Sequence, residues 1–337
     1  MEAHRAGLGR DGGVNAPLRI LLSPAGEVQA GAFISATLGE APWRRVAPGE
    51  DTDIAFVTRD VTGLSTKHAV LPDTQAFYDG LLSAPSLRWV HIHSAGADRP
   101  VFVELRRRGV ALTTSSGANA RIVVQTAVAG ILALARRFPQ LFAAQREARW
   151  APLMGDALPR DLTGQTAVVV GWGPIAQGTA AFLRLLELRV VVVRSSDAAA
   201  DGAEETVAFE QIARVLPRAD WLVLACPLTA RTRGLVDARA LSLLPAGAHL
   251  VNVARGEVVD EAALVDALAS QRLAGAFLDV FAHEPLPADS PLWRMENAIV
   301  TPHSAGHSNG NGARVLQIFL DNLARWQRGD ALRHCTG

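Results

Sequence analysis

The stretch VVVGWGPIAQGTA, Val168–Ala180, decides the fold. A run of β-branched residues, suited to a strand buried on both faces, stops at Gly171, turns through Trp172 and Gly173, and continues from Pro174 and Ile175 as an apolar helix. In a strand–turn–helix unit that holds a dinucleotide, the first glycine makes the turn and the second lets backbone approach the pyrophosphate. The third position keeps helix and strand close. Gly171, Gly173 and Ala176 fill those three places. Pro174 is acceptable in the first helical turn, where its missing amide breaks no helical hydrogen bond, although it removes one phosphate donor. The next strand in such a unit ordinarily ends in an acid that binds the adenosine ribose. Here RVVVV ends instead at Arg194, Ser195 and Ser196. A guanidinium beside two hydroxyls suits a 2′-phosphate, so NADP is expected in preference to NAD.

Outward from this turn, β-branched runs recur along the whole chain. LRILLS (18–23), DIAFVTR (53–59), LRWVHIH (87–93) and VALTTS (110–115) read as buried strands, with helices between them near Gln75–Leu82 and Pro100–Arg108. A long apolar helix is expected from about Asn119 to Phe138. Beyond it TAVVVG (166–171), RVVVVR (189–194), WLVLAC (221–226), AHLVNV (248–253), GAFLDV (275–280) and AIVTPH (298–303) read as further strands. Alternation of this kind predicts two doubly wound parallel-sheet α/β domains in tandem. The 33 basic and 33 acidic residues cancel, which leaves no electrostatic footprint for nucleic acid or a membrane surface. Lys67 is the only lysine, and the arginines are scattered among acids. Two cysteines make no disulfide framework and point to a cytoplasmic setting. Residues 1–17 are glycine-rich without the apolar core of a signal peptide and are read as a flexible tail; no later apolar run is long enough to span a bilayer.

Four later segments, WLVLACPLTARTRGLVD, VNVARGEVVDEAAL, GAFLDVFAHEPLP and NAIVTPHSAG, occur in this order at family-like spacing. In them the chain resembles the D-isomer-specific 2-hydroxyacid dehydrogenases, nearest to the glyoxylate and hydroxypyruvate reductase type. The resemblance implies a Rossmann cofactor domain (118–304) inserted into a flavodoxin-like substrate domain (18–117 and 305–337), with the active site in the cleft between them. It implies reduction of a small 2-oxoacid to a 2-hydroxyacid with NAD(P)H. Such a reaction needs a cation for the carboxylate, a proton donor for the carbonyl oxygen and a hydride donor in reach.

By resemblance Arg255 supplies the cation, together with backbone amides of Ala95, Gly96 and Ala97 in HSAGAD. His303 is the acid–base group and Glu284 its partner, favouring the imidazolium. Asp279 contacts the nicotinamide carboxamide. Cys226, Pro227, Thr232, Val253 and Ala254 line the cofactor cleft with His303. No metal is implied, and a homodimer joined through the cofactor domains is. Trp89, His91, His93 and Arg99 are candidates for shaping the substrate pocket, whereas His283 is expected to face solvent.

Formate dehydrogenase shares the architecture but carries glutamine in place of the paired glutamate, so Glu284 argues against it. The same fold also serves phosphite dehydrogenase and a corepressor that senses the cofactor, and turnover separates an enzyme from the corepressor. Two positions depart from the family pattern. Gln125 stands where many relatives carry an acid. Glu187 replaces the glycine common after the first cofactor-domain helix, which predicts that this helix ends without a left-handed cap.

Overall fold

The β-branched runs form two parallel sheets in the computed structural model, which describes residues 16–336. The tail assigned to residues 1–17 lies outside the described residues, save Ala16 and Pro17. The chain divides into two compact units: the described residues up to Asn119 with those from Ser308 onward, and Ala120–His307.

The first unit carries β1 (Leu18–Leu21), β2 (Trp43–Val46), β3 (Ile54–Val57), β4 (Trp89–Ile92) and β5 (Ala111–Thr114) in the order β2-β1-β3-β4-β5. Every pairing is parallel, the flavodoxin-like arrangement. Its C-terminal helix, Asn311–Arg328, returns to this sheet: Phe319 stacks on Phe56 at 4.3 Å and on Trp89 at 5.5 Å.

The second unit holds β6 (Thr166–Val170), β7 (Arg189–Arg194), β8 (Glu205–Ala208), β9 (Trp221–Leu224), β10 (Ala248–Asn252), β11 (Leu273–Leu278) and β12 (Ala298–Val300). The order is β12-β11-β10-β9-β6-β7-β8. Strand order reverses at β6, the strand of the opening motif, and that reversal is where open α/β sheets bind ligands. The helix Ala120–Ala135 packs close to the helix Pro174–Leu185 because position 178 is glycine; a Cβ there would stand 2.7 Å from Val124 Cγ2. No single helix among the described residues is long and apolar enough to cross a membrane.

Four expectations are corrected. β2 (WRRV) and β8 (ETVA) were not expected as strands, and both lie at sheet edges, where one flank needs no apolar cover and the sequence reads polar. β11 begins two residues earlier than expected, at Leu273. The long apolar helix does not run to Phe138: it ends at Ala135, Arg137 turns left-handed (φ 56°), and a separate helix, Phe138–Arg146, leaves at 70° with Pro139 in its first turn. The helix Pro174–Leu185 does end in a left-handed cap, formed by Glu187 itself at φ 63°. Leu188 N–H bonds to Leu183 O at 3.0 Å and Glu187 N–H to Arg184 O at 2.9 Å, the paired bonds of a Schellman motif. Thr163 Oγ1 donates to Glu187 Oε2 at 2.9 Å, so the side chain anchors the turn that a glycine would otherwise make.

Candidate active site

Strand register brings the candidate residues of the second unit to one edge. Val170 pairs with Val193 and Leu224, Leu224 with Asn252, Asn252 with Leu278, and Leu278 with Val300. The residues that follow are Gly171, Arg194, Cys226, Val253–Arg255, Asp279 and Thr301–His303, so all of them leave the sheet at its carboxyl end.

Gly171 takes φ 103°, and a Cβ on it would approach Ala225 O to 2.7 Å; the neighbouring strand enforces this glycine. Gly173 differs. Its backbone (φ −79°, ψ −178°) suits any residue, and a Cβ would meet nothing within 4 Å. Packing among the described residues gives no reason for glycine there, whereas close approach of a pyrophosphate to the helix N-terminus does. Ala176 is fully buried against the sheet. These residues therefore fit a dinucleotide. Trp172 and Ile175 are partly buried against the same core, and Pro174 opens the helix. Arg194 is half-buried, and its guanidinium has no partner among the described residues. Cys226 is buried and its thiol is pushed up to about 11, so it stays protonated and inert at neutral pH. Thr232 is fully buried. Its hydroxyl donates to Pro227 O at 2.7 Å and accepts from Thr229 N at 2.8 Å, which pins the loop after β9 rather than offering a donor to a ligand.

Two loops carry the charged groups. After β10 the buried Asn252 folds back: its Oδ1 accepts from Ala254 N at 3.0 Å and its Nδ2 donates to Arg255 O at 3.0 Å. The extended backbone of Arg255 follows, and then Gly256, whose missing side chain lets the loop lie directly on the Phe281–Ala282 backbone. That contact sets Arg255 beside the loop bearing Glu284. Val253 and Ala254 are buried beneath it.

His303 sits after β12 at φ 50°, a left-handed geometry uncommon for a non-glycine residue. Asp279 holds it there. His303 N–H donates to Asp279 O at 2.8 Å, Thr301 Oγ1 to the carboxylate at 2.6 Å, and the amides of Ser304 and Ala305 at 2.8 and 3.0 Å. Burial pushes the Asp279 carboxyl upward, against the opposing pull of these donors and of His303. Its two oxygens face this loop, and the side chain is buried.

The half-exposed His303 ring and Glu284 form a 2.7 Å pair, Nδ1 to Oε2. Glu284 Oε1 accepts from Phe281 N at 3.1 Å. Burial raises the Glu284 carboxyl, but the His303 bond and charge, the Phe281 amide and the Arg255 charge outweigh it. The net shift is downward, favouring carboxylate. His283 is exposed, and its Nδ1 pairs with Pro285 O at 3.3 Å.

In the first unit, Ala95, Gly96 and Ala97 form the loop after β4, where Ser94 Oγ donates to Gly96 O at 2.8 Å. Of the pocket-shaping candidates there, Trp89 and His91 lie in the core and His93 and Arg99 are half-buried. His91 is fully buried between Thr113 and Ser115, and burial pushes it down to about 3. Trp89 bonds to Thr113, His93 to Thr62, and Arg99 to Tyr78 and Ser65 O. Sequence inspection missed Asn252, Gly256 and Thr301 as site residues. An asparagine at a strand end and a glycine after the key arginine are the signals that could have found the first two.

Residues 128–305 match the family model described as D-isomer specific 2-hydroxyacid dehydrogenase, NAD binding domain. The chain is 30% identical over 292 residues to the glyoxylate reductase of Korarchaeum cryptofilum, covering 86% of each. It is 36% identical over 248 residues to the (S)-sulfolactate dehydrogenase of Chromohalobacter salexigens, covering 72% of this chain and 78% of that protein. Among solved structures, a D-isomer specific 2-hydroxyacid dehydrogenase from Xanthobacter autotrophicus, in complex with NADPH and MES, aligns with TM-score 0.74 at 28% identity, covering 96% of this chain and 98% of that one. With both sheets, the glycine turn and these matches in place, the chain belongs to the D-isomer specific 2-hydroxyacid dehydrogenase family and is an NAD(P)-dependent oxidoreductase acting on small 2-hydroxy and 2-oxo acids.

Proposed function

We propose that the chain reduces glyoxylate or hydroxypyruvate with NADPH, using His303 as proton donor, Glu284 as its partner and Arg255 as carboxylate clamp. The observation that carries this is the 2.7 Å His303–Glu284 pair, set on the sheet edge that also bears the glycine turn and Arg255. A bound reduced nicotinamide supplies the hydride. Glu284 occupies Nδ1 and so fixes the ring orientation, leaving Nε2 to give a proton to the forming alkoxide. Arg255 presents a planar fork that matches a carboxylate and places positive charge where the carbonyl oxygen turns negative. Two matches support the substrate class: the Korarchaeum cryptofilum protein and one from Thermococcus gammatolerans, 31% identical over 279 residues, are both named glyoxylate reductase.

NADPH is favoured over NADH by Arg194, without a partner among the described residues, beside Ser195 and Ser196, and the Xanthobacter relative holds NADPH. We assign cofactor binding to residues 118–304 and substrate binding to 18–117 with 305–337, where the amides of Ala95, Gly96 and Ala97 are further carboxylate donors. The exposed Phe138, Phe142, Trp150, Met154 and Leu158 favour a homodimer through the second unit. The two unbridged cysteines favour the cytoplasm. Initial rates of NADPH and NADH oxidation with glyoxylate, hydroxypyruvate and pyruvate test the assignment. Faster turnover of the first two with NADPH is expected, and no oxidation with any acceptor refutes it. Light scattering tests the dimer.

A further inference from the structure

Cofactor choice at the adenosine end rests on more than Arg194. β7 ends one register step from the glycine turn, and its last peptide leads into the exposed Ser195. On the neighbouring loop after β9 stands Arg231, 36 residues along the chain. Its Nη1 and Nη2 both donate to Ser195 O at 3.2 Å. Nε and Nη2 donate to the Glu210 carboxylate at 3.0, 2.7 and 2.9 Å, and the guanidinium lies over the Phe209 ring at 5.4 Å. The loop under Arg231 is fixed by the buried Thr232 hydroxyl. A guanidinium has five N–H donors, and these bonds leave one Nη1 hydrogen uncommitted.

The arrangement does two things. It anchors the peptide that follows Arg194, so the turn carrying Arg194, Ser195 and Ser196 is held before a ligand arrives. It also pairs the Glu210 carboxylate, which these contacts hold beside that turn, with a guanidinium. An unmasked carboxylate there would repel a 2′-phosphate and would accept a bond from a ribose hydroxyl. We propose that Arg231, clamped by Glu210 against the Ser195 carbonyl, is a specificity-determining positioning residue that sets the preference for a 2′-phosphorylated dinucleotide. This rests on the assignment of Arg194 to the 2′-phosphate.

The test is calorimetric titration of the full-length protein with 2′,5′-ADP and with 5′-ADP, for wild type, Arg194→Ala, Arg231→Ala and Arg231→Lys. Wild type is expected to prefer 2′,5′-ADP and Arg194→Ala to lose that preference. Arg231→Ala should weaken 2′,5′-ADP about tenfold while 5′-ADP stays within about twofold or tightens. Arg231→Lys, which keeps charge but not the fork, should fall between. Equal loss of both ligands in Arg231→Ala would show a merely structural role and overturn the proposal, as would no loss of either. If wild type shows no preference, the Arg194 assignment itself fails. If Arg194→Ala loses the preference and Arg231→Ala keeps it, the assignment stands and this inference alone falls.

Discussion

Gly171 and Gly173, two residues apart in one turn, should respond to alanine in opposite ways. At Gly171 the new Cβ would stand 2.7 Å from Ala225 O and 2.9 Å from Cys226 Cα, against an ordinary contact of about 3.4 Å, so the backbone just after β9 must retreat by about 0.7 Å. The φ of 103° adds strain that alanine pays and glycine does not. Overpacking against backbone costs about 1–3 kcal/mol and the backbone strain about 1–2 kcal/mol, offset by about 0.5–1 kcal/mol from a stiffer unfolded chain. Gly171→Ala is therefore expected to lose about 1–4.5 kcal/mol. Gly173→Ala, with open space around its Cβ and ordinary backbone angles, should stay within about 0.5 kcal/mol of wild type. Its penalty falls on NAD(P)H affinity instead, because the methyl occupies the approach to the helix N-terminus. Urea unfolding followed by tryptophan fluorescence reads the first quantity, with Trp172 and Trp221 in this unit, and fluorescence titration of NADPH reads the second. A stable Gly171→Ala, or a Gly173→Ala protein that binds NADPH as wild type does, would refute the division of labour.

The rest of the site gives three further expectations. Gly256→Ala forces the Arg255 loop off the Phe281–Ala282 backbone, and a displacement near 1 Å should lower kcat/KM about 100-fold or more; unchanged kinetics would show that this contact does not set the site. Asp279→Ala removes the acceptor shared by Thr301, Ser304 and Ala305, so the His303 loop should loosen, with about 1–3 kcal/mol lost in urea unfolding and a fall in kcat. Glu284 has a lowered carboxyl in the folded state, so its stabilising contribution is full above the unfolded value near about 4.3 and disappears as pH falls through the lower folded one. The stability gap between wild type and Glu284→Gln should accordingly shrink on acidification from pH 6 toward about 3, and a gap independent of pH would contradict the pairing.

What could be read from the sequence follows from where water is. Central strands such as VVV at 168–170 and RVVVVR are buried on both faces and announce themselves by composition. Edge strands WRRV and ETVA satisfy one flank with solvent and carry no such mark. The break at Arg137 is hidden because apolar periodicity persists across it, and only a left-handed residue before Phe138–Pro139 redirects the chain. Glu187 shows the converse: a missing glycine reads as a missing cap, yet a side-chain bond to Thr163 supports the same backbone turn.

Site chemistry is legible in the same uneven way. Arg255, Glu284 and His303 stand out because their side chains do the chemistry proposed, while Asn252 and Gly256 act by placing backbone, a task that shows only from their position after a strand and beside Arg255. The carboxylate of Asp279 illustrates the difference. Resemblance gives it to the nicotinamide, and within the chain its Oδ1 also accepts from Thr301, Ser304 and Ala305 around a histidine held in a left-handed conformation. A strained residue persists only where its surroundings over-determine it. Those bonds are therefore the reason His303 can face Glu284 at all, and the acid–base pair is as much a property of β11 and β12, which set Asp279 against residue 301, as of the two side chains that meet.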